Sequence, residues 1–345
     1  MSKEVFITTV TSYFPNSPID NNSMEDYLGL ISGVHSRVKN IVLRQNGIKQ
    51  RFYAVNTKQE MTHTNAELAQ LSIQKLLTEA LLPLQELELL ACATASPDQV
   101  LPSHASMVHG LLKNTPMEIF SASGICLSCV QAFKIAYLSI LAGDKRNAVC
   151  SCSELASAGL LSKNFDVEYE KCANLGIQPY MALEKDFLRF MLSDGASAVL
   201  LQDNPGKGKA LHIEWVEMTS YANELPTCMF MGAEKEKNGE LKSWKSFSSQ
   251  ELTDRSLFTV KQDIKLLEKN AVPYWAKHIK YCLEKYNVAP ESISYVLPHV
   301  SSMFFYDKII NELKGIGIGI DESKWFTNLS RVCLLYTSPS PRDCS

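Results

Sequence analysis

Short apolar runs alternate with longer amphipathic runs along the first part of the chain. The short runs, rich in β-branched residues, predict strands at 5–10, 87–94, 117–123, 147–154 and 196–201. Helical periodicity follows Asn65, which we expect to cap a helix, resumes at Ser103, and extends over 127–141 to a stop at Gly143. This order predicts an α/β fold with a mainly parallel sheet and helices on its faces.

The turn-rich segment 203–209, DNPGKGK, is the best internal boundary because the pattern starts again after it. Further strands are expected at 211–218, 293–300 and 323–329, and further helices at 257–269, 273–287 and 303–314. The like order of the two parts predicts a duplicated α/β unit, with one half over 1–205 and the other over 206–332.

The last residues, 333–345, read CLLYTSPSPRDCS and differ in character, because they are rich in Pro and Ser and show no periodicity. They stop where a strand-to-helix unit should be completing, and LLYTSPSPRD resembles translated library-adapter sequence. We therefore expect the native sequence to end at about Val332, the second half to be incomplete, and 333–345 to be non-native.

Composition narrows the function classes. The 345 residues are 46% apolar and 21% charged, with a net charge of −3, as in ordinary globular proteins. This balance gives no sign of nucleic-acid or membrane binding, and no apolar run reaches the roughly 18–20 residues of a membrane span. The N-terminus shows no signal peptide, so we expect a cytoplasmic protein whose ten cysteines are mostly reduced and buried.

The stretch SASGICLSCVQAF, residues 121–133, carries the strongest chemical signal. Cys126 follows a predicted strand and precedes a predicted helix, and Gly124 permits the tight turn between them. A thiol at the N-terminus of a helix meets unsatisfied N–H groups and the positive end of the dipole, which favours its thiolate. Cys126 is therefore a candidate nucleophile, whereas Cys129 is expected to point sideways into packing.

Three other interpretations of these cysteines remain open. Both could be inert core residues, or Cys126 and Cys129 could form a C-x-x-C redox pair. Cys126 and Cys129 could also bind a metal together with Cys150 and Cys152, although the last two lie on a predicted strand where both face one side and Ser151 the other.

A cysteine nucleophile also needs an electrostatic or proton-transferring partner. His299 is the best candidate, because it ends the predicted strand 293–300 just before a helix, where sites gather in α/β folds.

These residues resemble the ketoacyl synthase III branch of the thiolase-fold condensing enzymes. The resemblance spans Val5 to Val332, in order. Its motifs are the opening strand and loop VFITTVTSYFPNSPIDN, the G-I-x-x-R segment in NGIKQRFYA, the strand and Pro-Ser loop in ELLACATASPDQVLPSHAS, the nucleophile elbow SASGICLSCVQAF, the D-G-A strand FMLSDGASAVLL, the P-H segment YVLPHVSSM, and FTNLSRV. Within this branch, the motifs resemble the synthases of aryl-polyene and dialkylresorcinol pigment lipids more than the housekeeping enzyme.

The resemblance implies two βαβ-type halves packed as a five-layer αβαβα sandwich. It also implies acyl transfer to Cys126, followed by decarboxylative Claisen condensation with a malonyl thioester, assisted by His299. The substrates would be thioesters of coenzyme A or acyl carrier protein, in fatty acid or polyketide-like lipid biosynthesis. No cofactor or metal is implied, and a homodimer is expected.

Substrate contacts are implied for Arg37, Arg51, Leu101 and Ser302, with Leu101 lining the acyl pocket across the dimer. Residues 27–59 carry six basic and no acidic side chains, typical either of a solvated face or of a surface that receives coenzyme A phosphates or an acidic carrier protein. The basic residues are Arg37, Lys39, Arg44, Lys49, Arg51 and Lys58.

The chain departs from the family pattern at one catalytic position. The family's third catalytic residue is an Asn that follows a Gly right after Val332, where this chain has Cys333 and Leu334. Asn328 lies six residues too early in the motif to replace it. We therefore expect this chain to be impaired as an enzyme. A non-catalytic partner subunit is the alternative function, and a thiol redox or zinc protein a weaker one.

Overall fold

The computed structural model describes residues 3–113, 115–174 and 187–333. The strands are β1 (Phe6–Tyr13), β2 (Ile19–Asp20), β3 (Gln50–Arg51), β4 (Leu89–Thr94), β5 (Glu118–Ser123), β6 (Asn147–Glu154), β7 (Gly195–Gln202), β8 (Leu211–His212), β9 (Met229–Phe230), β10 (Ala233–Lys235), β11 (Leu241–Ser243) and β12 (Lys261–Gln262). The helices are α1 (Met24–Leu28), α2 (Lys39–Asn46), α3 (Asn65–Ala80), α4 (His104–Leu112), α5 (Ser128–Leu141), α6 (Ala156–Gly159), α7 (Asp166–Asn174), α8 (Ser249–Asp254), α9 (Ile264–Lys285), α10 (Met303–Gly315) and α11 (Leu329–Val332).

A six-stranded sheet organises the first half, in the order β5-β4-β6-β7-β1-β8. The five strands predicted in this half are all present within three residues of their predicted limits. The expectation of a mainly parallel sheet is wrong, because only β5, β4 and β6 run parallel, whereas β7, β1 and β8 pair antiparallel. The helical crossovers that force parallel pairing join only β4 to β5 and β5 to β6.

Helices cover both faces of this sheet, as predicted. Alternate residues of each buried strand point to opposite faces. Leu90 and Val149 pack against α3 and α4, whereas Ala91, Cys150 and Cys152 pack against α5. The prediction that Cys150 and Cys152 share one face is therefore confirmed.

The N-terminus of α3 differs by one residue from the prediction. Thr64, not Asn65, caps the helix, since its side chain accepts a hydrogen bond from the Glu67 N–H while the Glu67 side chain accepts from the Thr64 N–H. This reciprocal capping box leaves Asn65 free to bond Thr94 and Ser96 instead, which ties the helix to the strand end of β4.

The second half contains helices but no comparable sheet among the residues the structure describes. The helices predicted at 257–269 and 273–287 form mainly one helix, α9, which continues through Pro273. The strands predicted at 293–300 and 323–329 are wrong. The two segments are joined only by a parallel bridge between Val296 and Trp325. Of the strand predicted at 211–218, only the two residues of β8 are present, and they pair with β1 at the edge of the first sheet.

One apolar cluster connects the two halves. It contains Met24, Tyr53 and Leu192 from the first half and Leu329 and Cys333 from the second. The backbone N–H of Lys49 also donates to the Ser330 carbonyl at 2.9 Å. No helix within the described ranges has the length and apolar content needed to cross a bilayer.

Candidate acyl-transfer site

Cys126 lies in the turn between β5 and α5, as the sequence predicts. Leu127 takes the N-cap position of α5 without a side-chain cap, so Cys126 lies one residue before the N-cap. The Ser128 hydroxyl and N–H both donate to the Ile125 carbonyl, at 2.9 and 3.2 Å, and close the turn. The predicted helix 127–141 is thus confirmed within one residue, including its stop near Gly143.

Burial, rather than the helix N-terminus, dominates the electrostatics of Cys126. Burial of the thiol, with the charge of Glu154 and then Cys228 acting in the same direction, raises the pKa of Cys126 to about 12. The expectation that the thiolate is favoured is therefore wrong for this state. Removing a sulfur anion from water costs more here than the neighbouring backbone dipoles return. At neutral pH Cys126 is a thiol that must lose its proton as it reacts.

A mainly apolar cavity of about 560 Å³ adjoins the cluster against which Cys126 packs, although no residue of the turn itself lines it. Its walls share Ala95, Ala156, Leu160 and Leu192 with the cluster against which Cys126 packs. Side chains from the second half close the opposite wall, namely Met231, Trp244, Phe258 and Val260. Cavities of this size and polarity bind apolar small molecules or chain segments.

The neighbouring cysteines do not form the redox pair or the metal site considered above. Cys129 is joined by a disulfide to Cys152, whereas Cys126 and Cys150 carry free thiols. This bond between α5 and β6 also departs from the expectation of reduced cysteines. The described residues include no group of three or more His, Cys, Asp or Glu side chains that could hold a metal ion.

His299 lies in the irregular segment before α10. Burial lowers the pKa of its imidazole to about 4, so the ring is neutral at pH 7. Its Nε2 atom is buried and has no hydrogen-bond partner among the described residues. A neutral imidazole with an unused ring nitrogen can donate a hydrogen bond to a ligand oxygen.

Contacts between the halves bring the His299 segment towards the nucleophile. Met303, at the start of α10, packs against the same cluster as Cys126 and Ala95. Cys126 and His299 are not hydrogen-bonded through the His299 Nε2 atom, because that atom has no partner among the described residues. The structure thus brings Met303, four residues after His299 in the sequence, to the cluster against which Cys126 packs.

The family's Asn would stand at Leu334, which lies with 335–345 outside the described residues. Cys333 stands at the preceding position, where the resemblance implies Gly. Cys333 is buried, and its thiol donates to the Met191 carbonyl at 3.2 Å. Asn328 is buried at the N-cap position of α11. The Asn328 Nδ2 atom has no hydrogen-bond partner in the described part of the chain.

The four residues expected to contact substrate have different surroundings. Arg37 is exposed, as a docking surface requires. Arg51 departs from the expected basic face, because it is completely buried and its Nε and Nη2 atoms lack partners among the described residues. Leu101 is 82% exposed at the tip of the loop after β4, so it does not line the cavity of its own chain.

Ser302 acts as a helix cap. Its hydroxyl accepts from the Phe304 N–H at 3.3 Å and donates to the Gln45 carbonyl at 3.3 Å. Both its donor and one acceptor site are therefore used within the protein, and the residue joins α10 to the end of α2 rather than facing a substrate.

Sequence reasoning missed Glu154. This residue ends β6, is completely buried, and accepts hydrogen bonds from the Ala95 N–H and the Ser96 hydroxyl at 2.9 and 2.6 Å. Burial raises the pKa of its carboxyl to about 8. A carboxylate at the end of an otherwise apolar buried strand was the available signal, since ionisable side chains are rarely buried there without a reason.

Comparison with known proteins agrees with the geometry. The β-ketoacyl-[acyl-carrier-protein] synthase III of Clostridium perfringens strain SM101 is 22% identical over 317 residues, which cover 92% of this chain and 82% of that protein. No protein-family model matches the chain.

Solved structures match the fold over nearly the whole chain. The tetronic acid condensing enzyme AbyA1 superposes with a TM-score of 0.68 at 19% identity, covering 96% of this chain and 87% of that one. The 3-oxoacyl-(acyl carrier protein) synthase III, FabH, from Pseudomonas aeruginosa PAO1 gives 0.63 at 16% identity, covering 96% and 84%. These likenesses identify a thiolase-fold protein similar to the β-ketoacyl synthase III condensing enzymes.

Proposed function

We propose that the protein is an acyltransferase of the β-ketoacyl synthase III type, which loads an acyl group onto Cys126 and condenses it with a malonyl thioester. The observation that carries this proposal is the position of a free thiol at the strand-to-helix turn of β5 and α5, packed against a cluster that also forms part of the wall of an apolar cavity. The similarity to β-ketoacyl-acyl-carrier-protein synthases supports the same reaction.

Loading exchanges one thioester for another. The Cys126 sulfur attacks the carbonyl carbon of the donor thioester, and a new carbon–sulfur bond forms. The bond to the carrier sulfur breaks, and the carrier thiol leaves with the proton that Cys126 gives up. The acyl chain would then lie in the cavity whose walls meet the Cys126 cluster, which excludes water from the acyl-enzyme.

Condensation uses the other half of the protein. The malonyl carbon–carbon bond breaks as carbon dioxide leaves, and the electron pair forms an enolate. A neutral His299 with its proton on Nε2 would donate to the enolate oxygen, a contact for which that buried nitrogen has no competing partner among the described residues. The enolate carbon attacks the acyl carbon, and the Cys126 sulfur leaves.

Replacement of the family's Asn by other residues limits the second step. One oxyanion donor is worth about 3–4 kcal/mol, so its loss slows condensation on the order of a hundredfold or more. Loading does not require that donor, and we expect it to be the more active half-reaction of this chain.

An acyl carrier protein is the proposed donor partner. Arg37, Arg44, Lys49 and Lys58 are exposed, which suits an acidic carrier, whereas Lys39 is paired with Glu25 at 2.9 Å. Reversing the charge of Arg44 and Lys49 should weaken carrier-dependent loading steeply at low salt and leave loading from a small acyl thioester unchanged. Equal loss with both donors would refute the docking role.

A homodimer is proposed as the assembled form. The edge strand β5 and the loop tip with Val100 and Leu101, which are 78% and 82% exposed, present backbone and apolar groups that a second copy would cover. Sedimentation equilibrium tests this proposal: a dimer that Leu101→Asp weakens supports it, whereas a monomer at micromolar concentration contradicts it.

Protection of the thiol by substrate tests the proposed loading reaction. Iodoacetamide labelling of each cysteine peptide is compared before and after incubation with an acyl-coenzyme A. We expect Cys126 to label before incubation and to be protected afterwards, while the half-buried free thiol of Cys228 labels equally in both samples. Unchanged labelling of Cys126 would remove the basis of the proposal.

A further inference from the structure

Glu154 holds one wall of the cavity and lies at a strand end two strands away from the turn that carries Cys126. The parallel strands β5, β4 and β6 end side by side, and the next residues are respectively the Cys126 turn, Ala95–Ser96 and Leu155. The Glu154 carboxyl accepts from Ala95 and Ser96, and the Ser96 Oγ atom accepts in turn from the Leu155 N–H at 2.8 Å. One buried carboxyl thus fixes the start of the loop that lines the cavity.

Other bonds hold the far side of this loop. The Asp98 carboxylate accepts from the backbone N–H groups of Asn65 and Ala66 at 2.8 and 2.9 Å. The His104 ring is hydrogen-bonded to the Ser153 hydroxyl at 2.9 Å, one residue before Glu154. The loop is therefore anchored at both ends, and Glu154 is the anchor at the end next to Cys126.

We propose that Glu154 is a positioning residue of the acyl-transfer site, which fixes the cavity wall at Ala95 and Ser96 and controls through its charge how readily the Cys126 thiol ionises. This inference rests on the proposed function only in taking Cys126 as the nucleophile. It adds a residue that acts through its neighbours and does not touch the reacting atoms.

The charge of Glu154 changes as the pH rises through about 8. Burial, together with the charge of Asp194, raises its pKa to about 8, against the opposing effect of its hydrogen bonds. At neutral pH the Glu154 carboxyl is mainly protonated and adds no negative charge that would disfavour ionisation of the Cys126 thiol. Above about pH 8 it becomes a carboxylate, and that charge is the largest one acting against ionisation of Cys126.

Other titratable groups among the described residues also act on Cys126, Glu154 or His104. They are Asp194, Cys228 and Asp98. Burial lowers the pKa of His104 to about 4, so this ring stays neutral over the range tested below. Burial also raises the pKa of Asp194, to about 6, so its charge is complete before Glu154 titrates.

The test is the pH profile of Cys126 alkylation by iodoacetamide between pH 6 and 10, measured by mass spectrometry of the Cys126 peptide. In the unmodified chain the logarithm of the rate, plotted against pH, should rise throughout and bend to a smaller slope above about pH 8. Glu154→Gln should abolish the bend and react about three- to tenfold faster at pH 9–10, with equal rates below pH 7. Glu214→Gln, at a side chain that is exposed, is the matched control and should keep the bend. Identical profiles for the chain and Glu154→Gln would overturn the proposal.

Ser96→Ala is the second variant and decides the question if Glu154→Gln does not fold. It keeps the carboxyl but removes a hydroxyl donor that stabilises the ionised form, so the bend should move to higher pH. A bend at an unchanged pH would overturn the proposal. Alkylation needs no substrate, so this result is independent of whether acyl loading occurs, and a loading failure alone refutes only the proposed function.

Discussion

Cys126 and His299 are held in place by very different surroundings. Cys126 follows a regular strand of a six-stranded sheet with helices on both faces. His299 lies in an irregular segment that is tied to its neighbour by one bridge and to the first half by the Ser302 hydroxyl and the cluster around Met303. Local structure therefore positions the Cys126 nucleophile, whereas contacts between the two halves position the segment that carries the His299 imidazole.

The largest expected effect concerns the nucleophile itself. Cys126→Ala should lower the rate of free thiol release from an acyl-coenzyme A by about 10⁴-fold or more, because the proposed acyl acceptor is lost. The measurement is thiol release followed with a chromogenic disulfide. Cys228→Ala is the control and should lose little, and a slow Cys228→Ala beside an active Cys126→Ala would reverse the assignment.

Whether the two halves are one unit can be tested from the first half. Leu90 is completely buried between the sheet and α3, so Leu90→Ala should cost about 2–5 kcal/mol of unfolding free energy. The four Trp residues, Trp215, Trp244, Trp275 and Trp325, all lie in the second half. Because the halves share one cluster, the urea midpoint by Trp fluorescence should fall as far as the midpoint by circular dichroism.

A separation of the two transitions would contradict that expectation. If Leu90→Ala moved only the circular dichroism midpoint, the second half would unfold independently and could not fix the segment of His299 and Met303 relative to Cys126. Leu81→Ala, at a side chain that is 89% exposed, should leave both midpoints within about 0.5 kcal/mol of the unmodified chain.

The imidazole should matter in only one half-reaction. His299→Ala should slow decarboxylation of a malonyl thioester about 10²- to 10³-fold, the usual effect of losing an oxyanion donor, while acyl loading of Cys126 changes less than about threefold. Carbon dioxide release and acyl-enzyme formation measure the two steps separately. His109→Ala, whose Nε2 bonds the Thr115 carbonyl far along α4, is the matched control. Equal loss in both steps would show that His299 has a structural role.

The smallest effect tests the link between the halves. Ser302→Ala removes the cap of α10 and the bond to the Gln45 carbonyl, and should cost about 1 kcal/mol of unfolding free energy. The readout is the urea midpoint, and Ser302→Thr should restore most of the loss. A Ser302→Ala chain with unchanged stability but no decarboxylation would instead favour the substrate contact implied by the sequence resemblance.

The sequence was informative where structure is local. The strands of the first half are apolar runs of suitable length bounded by turn residues, so their limits and the turn at Cys126 could be predicted. The second half misled because Pro273 suggests a helix end, yet α9 continues through it. The run at 293–300 is apolar enough for a strand, but it has a single bridge partner at Trp325.

The electrostatics could not be read from the sequence at all. A helix N-terminus predicts a favoured thiolate at Cys126, but burial and then the charges of Glu154 and Cys228, residues distant in the chain, raise the pKa of this thiol instead. Arg51 sits in a basic stretch typical of a surface, and only the packing of β3 against Met24 and the central cluster shows that it is buried. Tertiary burial decides the charge state of each group, and a one-dimensional pattern does not contain it.

The most direct test of the account is the identity of the atom that receives the acyl group. The purified chain is incubated with an acyl-coenzyme A, quenched in acid, and digested for mass spectrometry of every cysteine peptide. The account predicts one acyl group per chain, attached to Cys126 and removable by hydroxylamine. No acylated cysteine, or an acyl group on Cys228 with Cys126 unmodified, would contradict it.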